Sequence, residues 1–208
     1  MKFIQATLSL ALAGVWLNAS PILTANPAGE MAKAATDFLK GLQPEQQTKA
    51  SFDLKSEERE NWHFIPKPRN GLPLKEMTQK QRSLAFALLK SGLSDRGYGK
   101  ATNIMSLELV LFDMENKSPK RDPELYYVSI FGKPGAREPW GWRVEGHHLS
   151  INFTIADGKN ISVTPSFLGS NPGEVKEGAR KGVRILGNEE DLGRELLKSF
   201  SPEQKHWA

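Results

Sequence analysis

Nine consecutive residues, Trp140-Gly141-Trp142-Arg143-Val144-Glu145-Gly146-His147-His148, gather two indoles, a guanidinium, a carboxylate and two imidazoles. They hold two of the chain's four histidines and two of its five tryptophans. Imidazole is the side chain whose proton exchanges near neutral pH, and it is also a common metal ligand. His147 and His148 are therefore candidates for a general base or for ligands to a divalent metal. Glu145 is placed to orient an imidazole or to act as an acid, and Arg143 to clamp an anion. Trp140 and Trp142 offer flat faces for a sugar ring or another planar ligand. Three residues outside the segment belong to the same candidate set: Asn152 as a hydrogen-bond donor, Arg69 as a second anion clamp, and His63 as a distant third metal ligand.

Each of these has a plain structural alternative. His147 can be a core histidine bonded to a neighbour, the indoles can be core aromatics, and Arg143 with Glu145 can be an ion pair of the sheet. No HxH or HExxH spacing supplies a second strong metal ligand. Cysteine is absent from the whole chain, which removes disulfides, thiolate metal sites and cysteine nucleophiles. There is no Gly-x-Ser-x-Gly elbow, phosphate-cradling loop or dinucleotide fingerprint. Asp122, Glu108 and Glu115 are further carboxylates, but nothing in the sequence pairs them.

The strands that carry this segment follow from its alternation. Leu149, Ile151, Phe153 and Ile155 share one strand face, expected to be the core, and Ser150, Asn152 and Thr154 share the other. Running the same period backwards puts His148 with Asn152, and His147 with Glu145 and Arg143 on the core side. Both imidazoles then reach one metal only if a bulge or turn intervenes, for which Gly146 is suited. Tyr126 to Phe131 and Ile161 to Phe167 read as further strands, with Asp157-Gly158 as a hairpin turn. The expectation is an α+β fold: N-terminal helices, a central antiparallel sheet of at least three strands, and a C-terminal helix.

The helices are marked by periodicity and by caps. Glu30 to Gly41 is amphipathic, a second helix starts near Pro44, and Thr78 to Ser91 is closed by Gly92. Trp62 to Pro66 is extended, because Pro66 and Pro68 break helices. Gly97-Tyr98-Gly99 reads as a turn before a helix over Ala101 to Glu115, with a strand as the alternative there. Asn188 is the expected cap of a helix ending near Phe200. One phrase recurs at Leu39, Leu74 and Leu197, each time ahead of a helix start. Gln81 and Gln204 stand three residues after the caps Thr78 and Ser201, as a capping box requires. The last copy opens a helix about two turns long, marginal without packing, which points to a chain shortened at its C-terminus.

Residues 1–25 have the pattern of a secretory signal: Lys2, an apolar run from Phe3 to Leu17, and small-residue exits, with cleavage expected after Ala25. That leaves residues 26–208 as a single domain, exported to the periplasm or the exterior, without a stable membrane span. Loss of Lys2 lowers the formal charge from +4 to +3. The charges are interspersed, so no nucleic-acid surface is expected. A small molecule or an envelope polymer is the expected partner, and nothing in the chain predicts an oligomeric state.

Taken in order, several phrases resemble a known family. They are Trp62-His63-Phe64-Ile65-Pro66 with Arg69 and Gly71, then Leu93-Ser94-Asp95-Arg96-Gly97-Tyr98, and Tyr126 through Phe131-Gly132. Trp140-Gly141-Trp142-Arg143, Gly146-His147-His148-Leu149-Ser150, Pro165-Ser166-Phe167-Leu168-Gly169 and Asn171-Pro172 complete the set. The set resembles the bacterial and fungal family known as domain of unknown function 3500, over nearly all of residues 26–208. The resemblance implies a C-terminus shorter than that of other members and no particular reaction. The residues themselves support three expectations: an exported, metal-assisted hydrolase; a non-catalytic ligand-binding protein; and a structural or partner-binding domain.

Overall fold

The computed structural model describes residues 26–207; the signal-peptide expectation falls outside them. Two helices open the described chain. α1 (Pro27–Lys40) is capped by Asn26, whose Oδ1 accepts from Gly29 N at 3.0 Å, and it buries Met31, Ala35 and Phe38. α2 (Pro44–Ala50) leads into a two-residue strand, β1 (Ser51–Phe52). The next segment is irregular apart from one 3-10 turn (Glu57–Arg59), and it ends at β2 (Leu72–Pro73). α3 (Gln79–Ser91) has the expected capping box at Thr78 and Gln81. The recurrent phrase also ties two helix starts together, since Gln81 Nε2 donates to Gln46 Oε1 at 2.7 Å and to Gly41 O at 3.0 Å.

α4 (Asp95–Met114) departs from expectation at its start. Gly97, Tyr98 and Gly99 lie inside the helix, not in a turn before it. Ser94 caps it by accepting from Gly97 N at 3.1 Å. Each glycine costs the helix about 1 kcal/mol relative to alanine. The buried stripe of Ala101, Ile104, Leu107 and Leu111 outweighs that, and it also decides against the strand alternative.

The sheet is mixed, with seven strands in the order β1-β3-β4-β5-β6. β3 (Tyr127–Phe131), β4 (Trp140–Gly146) and β5 (Leu149–Ala156) form its antiparallel centre. β1 joins β3 in parallel, and β2 also pairs with β3. The expected strand over Ile161 to Phe167 is two short ones, β6 (Asn160–Ser162) and β7 (Ser166–Leu168), both on β5. Pro165 between them has no N–H to offer a ladder. Asn152 bridges the break, its backbone N donating to Pro165 O at 3.2 Å and its Nδ2 at 2.9 Å.

α1, α3 and α4 pack on one face of the sheet, where Val128, Ile130, Trp140, Trp142, Val144, Ile151, Phe153 and Ile155 form the core with them. The irregular segment before β2 lies on the opposite face, where Glu58 meets Arg143. α5 (Gly187–Ser199) starts one residue before Asn188, so the expected cap is inside the helix. Its first turn is held from outside by Arg184, which bonds Asp191 at 2.7 Å and Glu190 at 2.9 Å. α6 (Pro202–Trp207) follows Ser201, with Gln204 N donating to Ser201 Oγ at 3.2 Å. Among the described residues no helix is long and apolar enough to cross a membrane.

Candidate functional site

Gly146 pairs with Leu149 across a two-residue hairpin, so His147 and His148 are the turn itself. This corrects the alternation argument. A two-residue connection shifts parity, so the odd-numbered positions of β4 lie opposite even-numbered positions of β5. Glu145 is paired with Ser150 and Arg143 with Asn152, on the face away from the helices. Trp142 is paired with Phe153 and Trp140 with Ile155, on the core face. Extending one strand's period through a turn misplaces every residue beyond it.

Burial sorts the candidates further. Trp140 is 0% exposed and Trp142 1%. The Trp142 ring stacks on Phe153 at 4.5 Å, and its Nε1 donates to Met31 Sδ at 3.4 Å. Neither indole presents a face to a ligand; both are core side chains. Asn152 is not beside His148: its Nδ2 donates to Ser150 Oγ and to Pro165 O.

Arg143 and Glu145, 0% and 1% exposed, belong to a buried charged chain rather than to a cleft. Arg143 donates to Glu58 Oε1 at 2.6 Å and to Glu58 O at 2.8 Å. Its Nε lies 2.9 Å from Glu145 Oε1, close enough for an ion pair but without hydrogen-bond alignment. Glu145 Oε2 accepts from His63 N at 3.0 Å and lies 3.5 Å from Arg69 Nε. Burial raises the Glu145 pKa against the opposing pull of Arg143. Arg69 is no anion clamp. Its side chain is buried, and it donates to the carbonyls of His63, Ile65, Lys67 and Gly146. Two arginines and two glutamates thus pin the segment 58–69 onto the sheet. His63 bonds its neighbour Asn61 at 2.9 Å and lines a hollow of its own with Glu58 and Lys67.

The two imidazoles remain. Their ring centroids are 4.1 Å apart. His147 Nδ1 is hydrogen-bonded to Glu108 Oε1 of α4. A carboxylate only accepts, so Nδ1 is the donor in that bond. Arg121 Nη1 stands 3.2 Å from Nδ1 and 3.5 Å from Nε2, and the same guanidinium grips Glu115 through two nitrogens at 2.8 and 2.9 Å. Tyr126 Oη donates to His147 O at 2.8 Å. Gly146 allows this, since a Cβ there would meet the Tyr126 ring at 2.4 Å. His148 takes a left-handed φ of +58°. Its N donates to Phe64 O and its O accepts from Gly169 N, while its Nδ1 is buried without a partner. Burial, followed by the neighbouring His147 and Arg121, pushes the His148 pKa down to about 4.

His147 and Glu108 lie in the wall of a cavity of about 360 Å³. Pro66 to Arg69, Pro119, Lys120, Asp122, Leu125, Tyr126 and Tyr127 complete its lining. That volume is in the usual range for small-molecule sites. Sequence reasoning named Glu108 only as a carboxylate without a partner. It sits between Ile104 and Leu111 on the buried stripe of α4, and a carboxylate in the middle of an apolar stripe was the available signal. Arg121 and Tyr126 carried no such mark.

Glu108 occupies His147 Nδ1, the place where a carboxylate orients an imidazole that acts through Nε2, and among the described residues no three His, Asp or Glu side chains are placed around one point. The arrangement that is present, a carboxylate orienting an imidazole in a cavity wall, is one that transfers protons.

An α+β domain with a buried carboxylate–imidazole pair at a hairpin turn is the class defined by this fold and site. The chain belongs to the family described as Protein of unknown function (DUF3500), whose profile matches residues 24–208. No curated protein and no solved structure matches it.

Proposed function

We propose that the protein is an exported hydrolase working by general acid–base chemistry, with His147 as the proton-transferring group. The observation that carries this is the Glu108–His147 pair in the wall of the 360 Å³ cavity. Glu108 holds the ring in one tautomer and stabilises the imidazolium formed when Nε2 takes a proton. In the reaction, a water bound at Nε2 loses its proton as its oxygen attacks the substrate, and the imidazolium returns the proton to the leaving group. Arg121, kept in place by Glu115, supplies positive charge beside the developing oxyanion. The export expectation rests on the sequence of residues 1–25. Ligand binding without turnover at the same cavity is the competing reading.

The test is a hydrolysis screen of the purified protein on ester, amide, phosphoester and glycoside substrates, repeated with His147→Gln and Glu108→Gln. Removing a general base lowers rates roughly 10²- to 10⁴-fold. The expected result is turnover of one class, lost on that scale in His147→Gln while the melting temperature is retained. Turnover unchanged in His147→Gln, or no turnover on any class, overturns the reading.

A further inference from the structure

The charges around the His147 cavity do not balance. Its walls include two acids, Glu108 and Asp122, and three bases, Lys67, Arg69 and Lys120. Each acid is matched by a residue other than Lys67 and Lys120: Glu108 by His147, and Asp122 by Lys75 at 2.7 Å. Arg69 faces Glu145. Lys67 and Lys120 make no ion pair among the described residues, and both are exposed. They come from two separate segments of the lining, Lys67 from the Pro66–Arg69 loop and Lys120 from the connection after α4. The rest of the lining is largely apolar: Pro66, Pro68, Pro119, Leu125, Tyr126 and Tyr127.

We infer that the cavity takes a small molecule with an apolar body and one anionic oxygen group, the anion held at the mouth between Lys67 and Lys120. The proline and tyrosine walls exclude water from the body. The two ammonium groups meet the charge where they remain hydrated, so little desolvation opposes binding. Two unpaired ammonium groups on the rim of one apolar cavity repel, and an anion bound between them relieves that repulsion. The chemistry recognised is a carboxylate or a phosphate monoester on a hydrocarbon or aryl group. The inference rests on the acid–base reading for the placement of the reacting centre but not for the binding itself.

Isothermal titration of the full chain with phenylacetate, phenyl phosphate and the neutral phenylacetamide tests it, alongside Lys67→Gln/Lys120→Gln. Both lysines are exposed, so the double variant keeps the fold. Loss of hydrogen bonds to a charged group weakens binding roughly tenfold or more. The expected result is that an anion binds the wild type at least that much more tightly than the amide, and that the double variant erases the preference. The tighter of the two anions identifies the head group. Equal binding of amide and anions, an undiminished preference in the double variant, or no binding of either anion overturns the inference. These results do not depend on His147, whose variants alone judge the acid–base reading.

Discussion

Glu108 and His147 are joined across the fold, one from the middle of α4 and the other from the β4–β5 turn, through Oε1 and Nδ1. This contact binds the helical layer to the end of the sheet, and it makes Nδ1 the nitrogen that Glu108 holds. The tautomer is directly measurable. Long-range nitrogen–proton NMR of labelled protein is expected to show the Nδ1–H form for His147. Glu108→Leu removes the acceptor and is expected to return the ring to the Nε2–H form that free imidazole side chains prefer. An Nε2–H ring in the wild type contradicts the assignment.

Arg143 neutralises two buried carboxylates at once. Arg143→Met takes the cation from Glu58 and leaves Glu145 with Arg69 alone, and the expected cost is about 3–5 kcal/mol in urea unfolding. Adding Glu145→Gln removes one of the stranded charges. The double variant is therefore expected to be less destabilised than the sum of the singles, by about 0.5–3 kcal/mol. Additive costs would mean that the pair is not coupled.

Gly146 leaves space for the Tyr126 ring. Gly146→Ala is expected to cost about 1–3 kcal/mol through overpacking, measured by thermal or urea unfolding. In a Tyr126→Leu background the clash is relieved, and the alanine is expected to cost much less. An equal cost in both backgrounds would place the strain elsewhere.

His148 connects stability to pH. Its ordinary value is 6.5, and in the folded chain it is about 4. The unfolded chain therefore takes up this proton first as acid is added. The stability that the neutral ring contributes is complete above pH 6.5 and is lost as pH falls towards 4. Glu58, Glu115 and Asp122, whose pKa values are lowered, add losses only below their ordinary values near 4.5 and 3.8. Glu145, whose pKa is raised, acts in the opposite sense. Between pH 6.5 and 4.5 His63, whose pKa is also lowered, acts in the same sense as His148 and Glu145 in the opposite one, so the share of His148 is read from the difference between wild type and variant. His148→Asn, which tolerates left-handed φ, is expected to flatten the slope of melting temperature against pH in that interval. An unchanged slope would assign it to another group.

Much of the architecture was legible because it is written in local periods. The Thr78 and Ser201 boxes, the stripe of α1, the strand alternation of 149–155 and the Asp157-Gly158 turn each depend on residues a few positions apart. Misreadings arose where two local signals competed. Gly97 and Gly99 suggested a turn, but the stripe of α4 carried the helix through them. Asn188 suggested a cap, but Arg184 holds that helix start from outside.

The candidate site was half legible. The chemistry of His147 and His148 was visible, but their surroundings were not. Arg143, Glu145 and Arg69 carry the same functional groups as a catalytic cluster and serve instead to hold a loop on the sheet, because a two-residue turn placed them on the face that the loop covers. Composition and pattern alone determined the α+β class, the absence of thiol chemistry and the hairpin's importance, since these depend on residue type and short spacing. Only the tertiary structure decided that Glu108, 39 positions away, meets His147 while the nearby Glu145 does not. The physical reason is that a turn reverses the chain and shifts its parity, so sequence neighbours separate onto two faces, and packing a helix across the sheet's end brings a distant carboxylate into contact.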